Sequence, residues 1–225
     1  MHLLSTHLWR VLLATLLLAV LAAGPARADL NGSVTIALLA PGGVIGDPTP
    51  LSFADVVGPG DGDKLLPGDG SQIGGYMLPL ERIAFAGNSL RLTIAVGGVQ
   101  GGDQVTGYLG DASGHARYEF SGLSIIGRQI VGLALSDKDG FLDSGFSGLL
   151  SPASPSGYVH LLDAHRLSVD LDSLVFRDRG LGESLNHLDL RIDLLTQPVP
   201  EPARVVLLLA GLLVLLGRRL GGAAR

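Results

Sequence analysis

The chain has 225 residues, no cysteine and a formal net charge of −5. Residues 29–200 alone hold 20 Asp/Glu against 10 Lys/Arg, a net charge of −10, which argues against binding nucleic acid through phosphate contacts. The missing cysteines exclude thiol nucleophiles, Cys-built zinc sites and disulfides, so an exported body must hold by packing and backbone pairing alone.

The N-terminus reads as an export signal. Arg10 supplies positive charge, Val11–Ala23 is almost wholly Leu, Val and Ala, and the small-residue pattern Ala26-Arg27-Ala28 follows. This order is that of a secretory signal peptide spanning 1–28, with Ala26 and Ala28 placing the cut before Asp29. The alternative is an uncleaved anchor, although the apolar run is short for a span and Gly24-Pro25 breaks its helix.

Residues 29–197 form the exported domain, long enough for one sizeable core. Residues 29–200 hold 28 glycines, more than twice the usual share of about 7 %, which predicts frequent turns. Strands are predicted at Ser33–Leu39, Glu81–Ala86, Leu90–Val96, Val105–Leu109, Ala116–Phe120, Gln129–Leu135, Tyr158–Leu162, Leu167–Asp172 and His187–Leu194. Leu174 and Phe176 continue the apolar parity of the eighth. The last is the clearest, with Leu188, Leu190, Ile192 and Leu194 set against His187, Asp189, Arg191 and Asp193, because successive strand side chains point to opposite faces.

Turn-rich stretches separate these runs at Pro41–Pro50, Gly58–Gly75, Gly97–Asp103, Ser136–Gly148 and Ser151–Gly157, and no convincing helical stripe occurs in the domain. The expected fold is therefore all-β, a β-sandwich or jelly roll with Gly/Pro-rich loops. The loop Gly58–Gly75 is long for a compact domain. It carries the one internal repeat, Pro59-Gly60-Asp61-Gly62 and Pro67-Gly68-Asp69-Gly70, read as paired turns.

Two acidic segments are candidates for a hard cation. Asp137, Asp139 and Asp143 flank a glycine turn that can gather carboxylate and backbone oxygens around Ca²⁺. On an EF-hand template the first and twelfth positions fall on Leu135 and Phe146, so an acidic turn without metal is the competing reading. Asp61, Asp63 and Asp69 form the second acidic loop. Hydrolase patterns are weaker, since neither a complete G-x-S-x-G elbow nor H-E-x-x-H is present. Trp9 leaves with the signal peptide, so saccharide stacking would fall to Tyr76, Tyr108, Tyr118 or Tyr158, with core packing the alternative for each.

The tail, 198–225, has three parts. Pro198, Pro200 and Pro202 impose an extended, non-helical segment around Glu201. Val205–Leu216 follows, twelve apolar residues spanning about 18 Å as a helix against a hydrocarbon core of about 30 Å. Arg218 and Arg219 close the run and mark the cytoplasmic flank, which places the body on the other side. The bland alternative is a Pro-rich linker before an ordinary single-span anchor.

With Val199-Pro200-Glu201-Pro202, Val205–Leu216 and Arg218-Arg219 in that order, the tail resembles the PEP-CTERM sorting signal of Gram-negative bacteria. The resemblance covers only the tail. It implies recognition and processing by exosortase near Pro200, Glu201 and Pro202, transient residence in the inner membrane, and release or attachment at the cell surface, with exopolysaccharide and biofilm matrix as common associates. The leading expectation is a non-enzymatic exported surface or matrix protein, handled by signal peptidase and the export machinery. A polysaccharide- or calcium-binding module comes second and a secreted hydrolase third.

Overall fold

The computed structural model describes residues 29–137, 148–178 and 186–199, and all of its sheets are antiparallel. The strands are β1 (Val34–Ala40), β2 (Leu51–Val57), β3 (Gly62–Leu65), β4 (Arg82–Ala86), β5 (Ser89–Ala95), β6 (Gly98–Gln100), β7 (Asp103–Val105), β8 (Arg117–Ser121), β9 (Arg128–Ser136), β10 (Leu149–Ser151), β11 (Val159–Asp163), β12 (Arg166–Asp170), β13 (Val175–Phe176) and β14 (His187–Pro198). One five-stranded sheet runs β11-β12-β8-β1-β2, a second runs β3-β4-β5-β14-β9, and a four-stranded sheet runs β10-β13-β7-β6.

Alternation explains which face each strand buries. Val34, Ile36, Leu38 and Ala40 of β1 join Tyr118 and Phe120 of β8 and Leu167 and Val169 of β12 on one buried face. From the second sheet, Ile83 and Phe85 of β4, Leu90, Leu92 and Ile94 of β5, and Leu188, Leu190, Ile192 and Leu194 of β14 enter the same continuous core. Two half-apolar sheets sharing one core are consistent with a β-sandwich.

Several boundaries differ from the sequence expectation. β2 was hidden because its inward parity, Leu51, Phe53, Asp55 and Val57, contains a carboxylate. Register with β1 nevertheless pairs Ile36 with Asp55 and Leu38 with Phe53. Asp55 is satisfied there by accepting the N–H groups of Gln72 (3.1 Å) and Ile73 (2.8 Å).

The long loop is likewise interrupted by β3, which pairs with β4, and is pinned by the buried Ile73 and Met77. Its repeat does form paired turns: the first glycine of each copy has positive φ, 102° at Gly60 and 69° at Gly68, which only glycine adopts readily.

Gly97–Asp103 is also not simply a turn, since it contributes β6 and leads into β7. The strand expected at 105–109 is displaced to Asp103–Val105. The run from Leu167 does not continue to Phe176 as one strand: β12 ends at Asp170, the chain turns through Leu171–Leu174, and β13 joins the four-stranded sheet. Parity survived because Leu171, Leu174 and Phe176 are buried on both sides of the turn.

Candidate functional site

The sequence-derived sites fall unevenly on the described residues. Ala26 and Ala28, Pro200, Glu201 and Pro202, Arg218 and Arg219, and Asp139 and Asp143 lie outside them. Of the proposed calcium carboxylates only Asp137 is described. It follows β9, is partly buried, and its charge faces the Tyr158 hydroxyl.

The second acidic loop does not converge on a point. Asp61 accepts the Gly87 N–H (2.6 Å). Asp69 folds its own turn, accepting from Leu66 N (2.8 Å), Ser71 N (2.9 Å) and Ser71 Oγ (2.5 Å). Asp63 belongs to β3 and lines an open trough of about 280 Å³ with Asp61, Arg82 and Arg91. Among the described residues no group of three or more His, Asp or Glu is placed to hold a metal ion.

The most developed polar cluster centres on Glu81, which the sequence offered only as the first residue of a strand. Its carboxyl is buried between the two five-stranded sheets. Leu78 N donates to Oε2 (3.0 Å), Ala95 N at the end of β5 donates to Oε1 (3.4 Å), and Tyr118 Oη of β8 reaches Oε2 at 3.4 Å. Tyr108 Oη lies 2.9 Å from Oε2 and 2.9 Å from the Tyr76 carbonyl. The rings of Tyr108 and Tyr118 meet edge to face, 6.4 Å between centroids.

A phenol has one proton and cannot donate to both acceptors at once. A protonated Glu81 resolves the conflict, because it donates to Tyr108 and frees the phenolic proton for Tyr76. Burial has the same effect: desolvation outweighs the donors and pushes the Glu81 carboxyl up to about 7. Burial beside the same carboxylate raises both phenols well above their ordinary range.

Tyr108 also walls a half-open cavity of about 300 Å³, completed by Val44, Ile45, Tyr76, Leu78, Gly97, Thr106 and neighbouring glycines. Its narrow waist depends on Gly97, where a Cβ would stand 2.0 Å from the Thr106 carbonyl oxygen. Tyr76 is 44 % exposed at this cavity, its ring stacked on Phe53 at 4.5 Å. The other three tyrosines are core residues, so Tyr76 alone remains for a sugar to stack on. Glu81 does not line the cavity; Tyr108 stands between.

A second arrangement brings Ser, His and Asp together on one face. His160 of β11 lies 3.1 Å from Asp170 of β12, and Ser168 sits directly across the ladder from His160. No hydrogen bond joins Ser168 Oγ to the ring among the described residues. The backbone around Ser168 is committed on both sides to β8 and β11, so no free N–H groups gather as an oxyanion hole.

Comparison with protein-family models, with curated proteins and with solved structures returns no match for this chain.

Proposed function

We propose that this chain is an exported, non-enzymatic surface or matrix protein, with a sandwich-like β body delivered by its C-terminal Pro-Glu-Pro, apolar and arginine signal. The observation that carries this reading is the order of the tail: Pro200, Glu201 and Pro202, then Val205–Leu216, then Arg218 and Arg219. An extended motif precedes an apolar stretch too short for a comfortable permanent span, and a basic stop follows. The body suits that route. It holds without disulfides, and β14 carries the chain to Val199, immediately before the motif. The partners are signal peptidase, the export machinery, an exosortase-type processing enzyme and, transiently, the inner membrane.

Intact mass of the mature protein from a host with that enzyme tests the reading. Loss of the tail is expected, and Glu201→Ala or deletion of 205–216 should abolish it. A mature mass that still includes Arg225 overturns it.

A polysaccharide-binding module is the second reading, favoured by the half-exposed ring of Tyr76 at a cavity of about 300 Å³. Saturable binding of exopolysaccharide, lost in Tyr76→Ala, supports it; equal binding by both proteins removes it. The calcium version is weaker, because Asp61 and Asp69 already accept backbone N–H groups.

A further inference from the structure

The two ends of the described body meet at one place. Leu30 bridges Ile125, Ile125 bridges Arg128, and Arg128 pairs with Pro198 at the end of β14. The next residue, Val199, donates its N–H to the Gly127 carbonyl (3.0 Å). At about 4.8 Å per step across a sheet, the start and the end of the body stand no more than about 15 Å apart. Both apolar segments of the sequence, Val11–Ala23 and Val205–Leu216, therefore join the body at the same end.

That end is capped by apolar side chains that nothing covers. Ile126, at the tip of the turn between Ile125 and Arg128, is 76 % exposed and Val199 is 47 % exposed. Val131 and Leu195, a few residues back on β9 and β14, are 50 % and 48 % exposed. Scattered exposed aliphatics are ordinary on a soluble surface, but a cluster at one tip marks a contact site. Arg128 sits in the same turn, its guanidinium held by Thr196 Oγ1 at 2.9 Å.

We infer that this tip, Ile126 and Val199 with Arg128 beside them, is a membrane-contact surface that rests on the headgroup layer of the bilayer. The inference depends on the reading of the tail as a membrane segment. Only Pro200–Arg204 separate Val199 from Val205, and six extended steps reach at most about 20 Å. A body tethered so closely at this corner must turn it toward the lipid. Aliphatic side chains at the headgroup boundary leave water, while a neighbouring arginine can reach phosphate. The same corner also follows the N-terminal apolar segment, so it faces the membrane at both stages of export.

The test uses the full chain in vesicles of phosphatidylethanolamine and phosphatidylglycerol, and the natural absence of cysteine makes single labels unambiguous. An environment-sensitive fluorophore is placed at Ile126→Cys, at Leu212→Cys in the apolar tail, and at Gln100→Cys on the hairpin beyond the opposite end of β14. The labels at 212 and 126 should both shift to the blue and be quenched by nitroxide lipids, that at 126 only by shallow ones, while the label at 100 stays as in water. A buried label at 212 with a water-like label at 126 overturns this inference and leaves the tail reading standing. Water-like labels at both positions overturn the two together.

Discussion

Tyr108 Oη and Glu81 Oε2 stand 2.9 Å apart inside the interface between the two sheets, and the same hydroxyl lies 2.9 Å from the Tyr76 carbonyl. The pair makes stability depend on pH. The folded carboxyl titrates at about 7 against 4.5 for an ordinary glutamate, so between these values the folded state holds a proton that the unfolded chain releases. The contribution of Glu81 is fully present below about pH 4.5 and is lost as pH rises through about 7, a loss of about 3 kcal/mol. Urea unfolding from pH 4.5 to 8 should show this decline, and Glu81→Gln should flatten it. A variant profile parallel to the wild type refutes the assignment.

Below about pH 4 the trend reverses. The Ser113 hydroxyl holds the Asp111 carboxyl, and the Thr49 side chain the Asp47 carboxyl, below the usual range; Arg166 does the same for Asp163. Stability supplied by a depressed carboxyl is present above its unfolded value and disappears as pH falls through the folded one. A stability maximum between about pH 4 and 6 is the expected result.

Tyr158 is fully buried, and its hydroxyl has no hydrogen-bond partner. An unsatisfied buried hydroxyl costs about 1–3 kcal/mol, whereas the ring alone costs nothing polar. Tyr158→Phe should therefore be neutral or stabilising, by up to about 1 kcal/mol. A clear drop in the unfolding midpoint would show that the hydroxyl has a partner.

Asp55 is an inward-facing carboxylate in β2 whose work is to hold the long loop. Asp55→Ala leaves the N–H groups of Gln72 and Ile73 without their acceptor and should destabilise by about 1–3 kcal/mol. Hydrogen exchange gives the sharper readout. The amides of residues 72 and 73 should lose protection selectively, while those of β5 and β14 change only with global stability.

Two leucines of one strand test the register of β14. Leu190 is fully buried and Leu195 is 48 % exposed. Leu190→Ala should cost about 2–5 kcal/mol through lost burial and the cavity left behind, and Leu195→Ala less than about 0.5 kcal/mol. Equal costs would mean that the strand presents a different face to the core.

The sequence by itself determined which rows of side chains are buried. Leu188, Leu190, Ile192 and Leu194 alternate with polar residues, and a sheet with one solvated face requires that period, so most strands were legible within a residue or two. It also determined the order of the apolar and charged segments at the two ends. Periodicity fails where a functional carboxylate interrupts the apolar parity, as Asp55 does in β2, and it stays silent where parity carries across a turn, as at Leu171–Leu174.

Only the tertiary structure decided what touches what. Alternation reports that a row is buried but not which strand lies beside it. Pairings such as β1 with β8 and β5 with β14 join stretches far apart in the chain. Those non-local pairings place Glu81 under the hydroxyls of Tyr108 and Tyr118 and withdraw three tyrosines into the core. They also bring Leu30 and Pro198 to one corner of the molecule, because antiparallel closure returns the last strand to the turn that meets the first residues of the body.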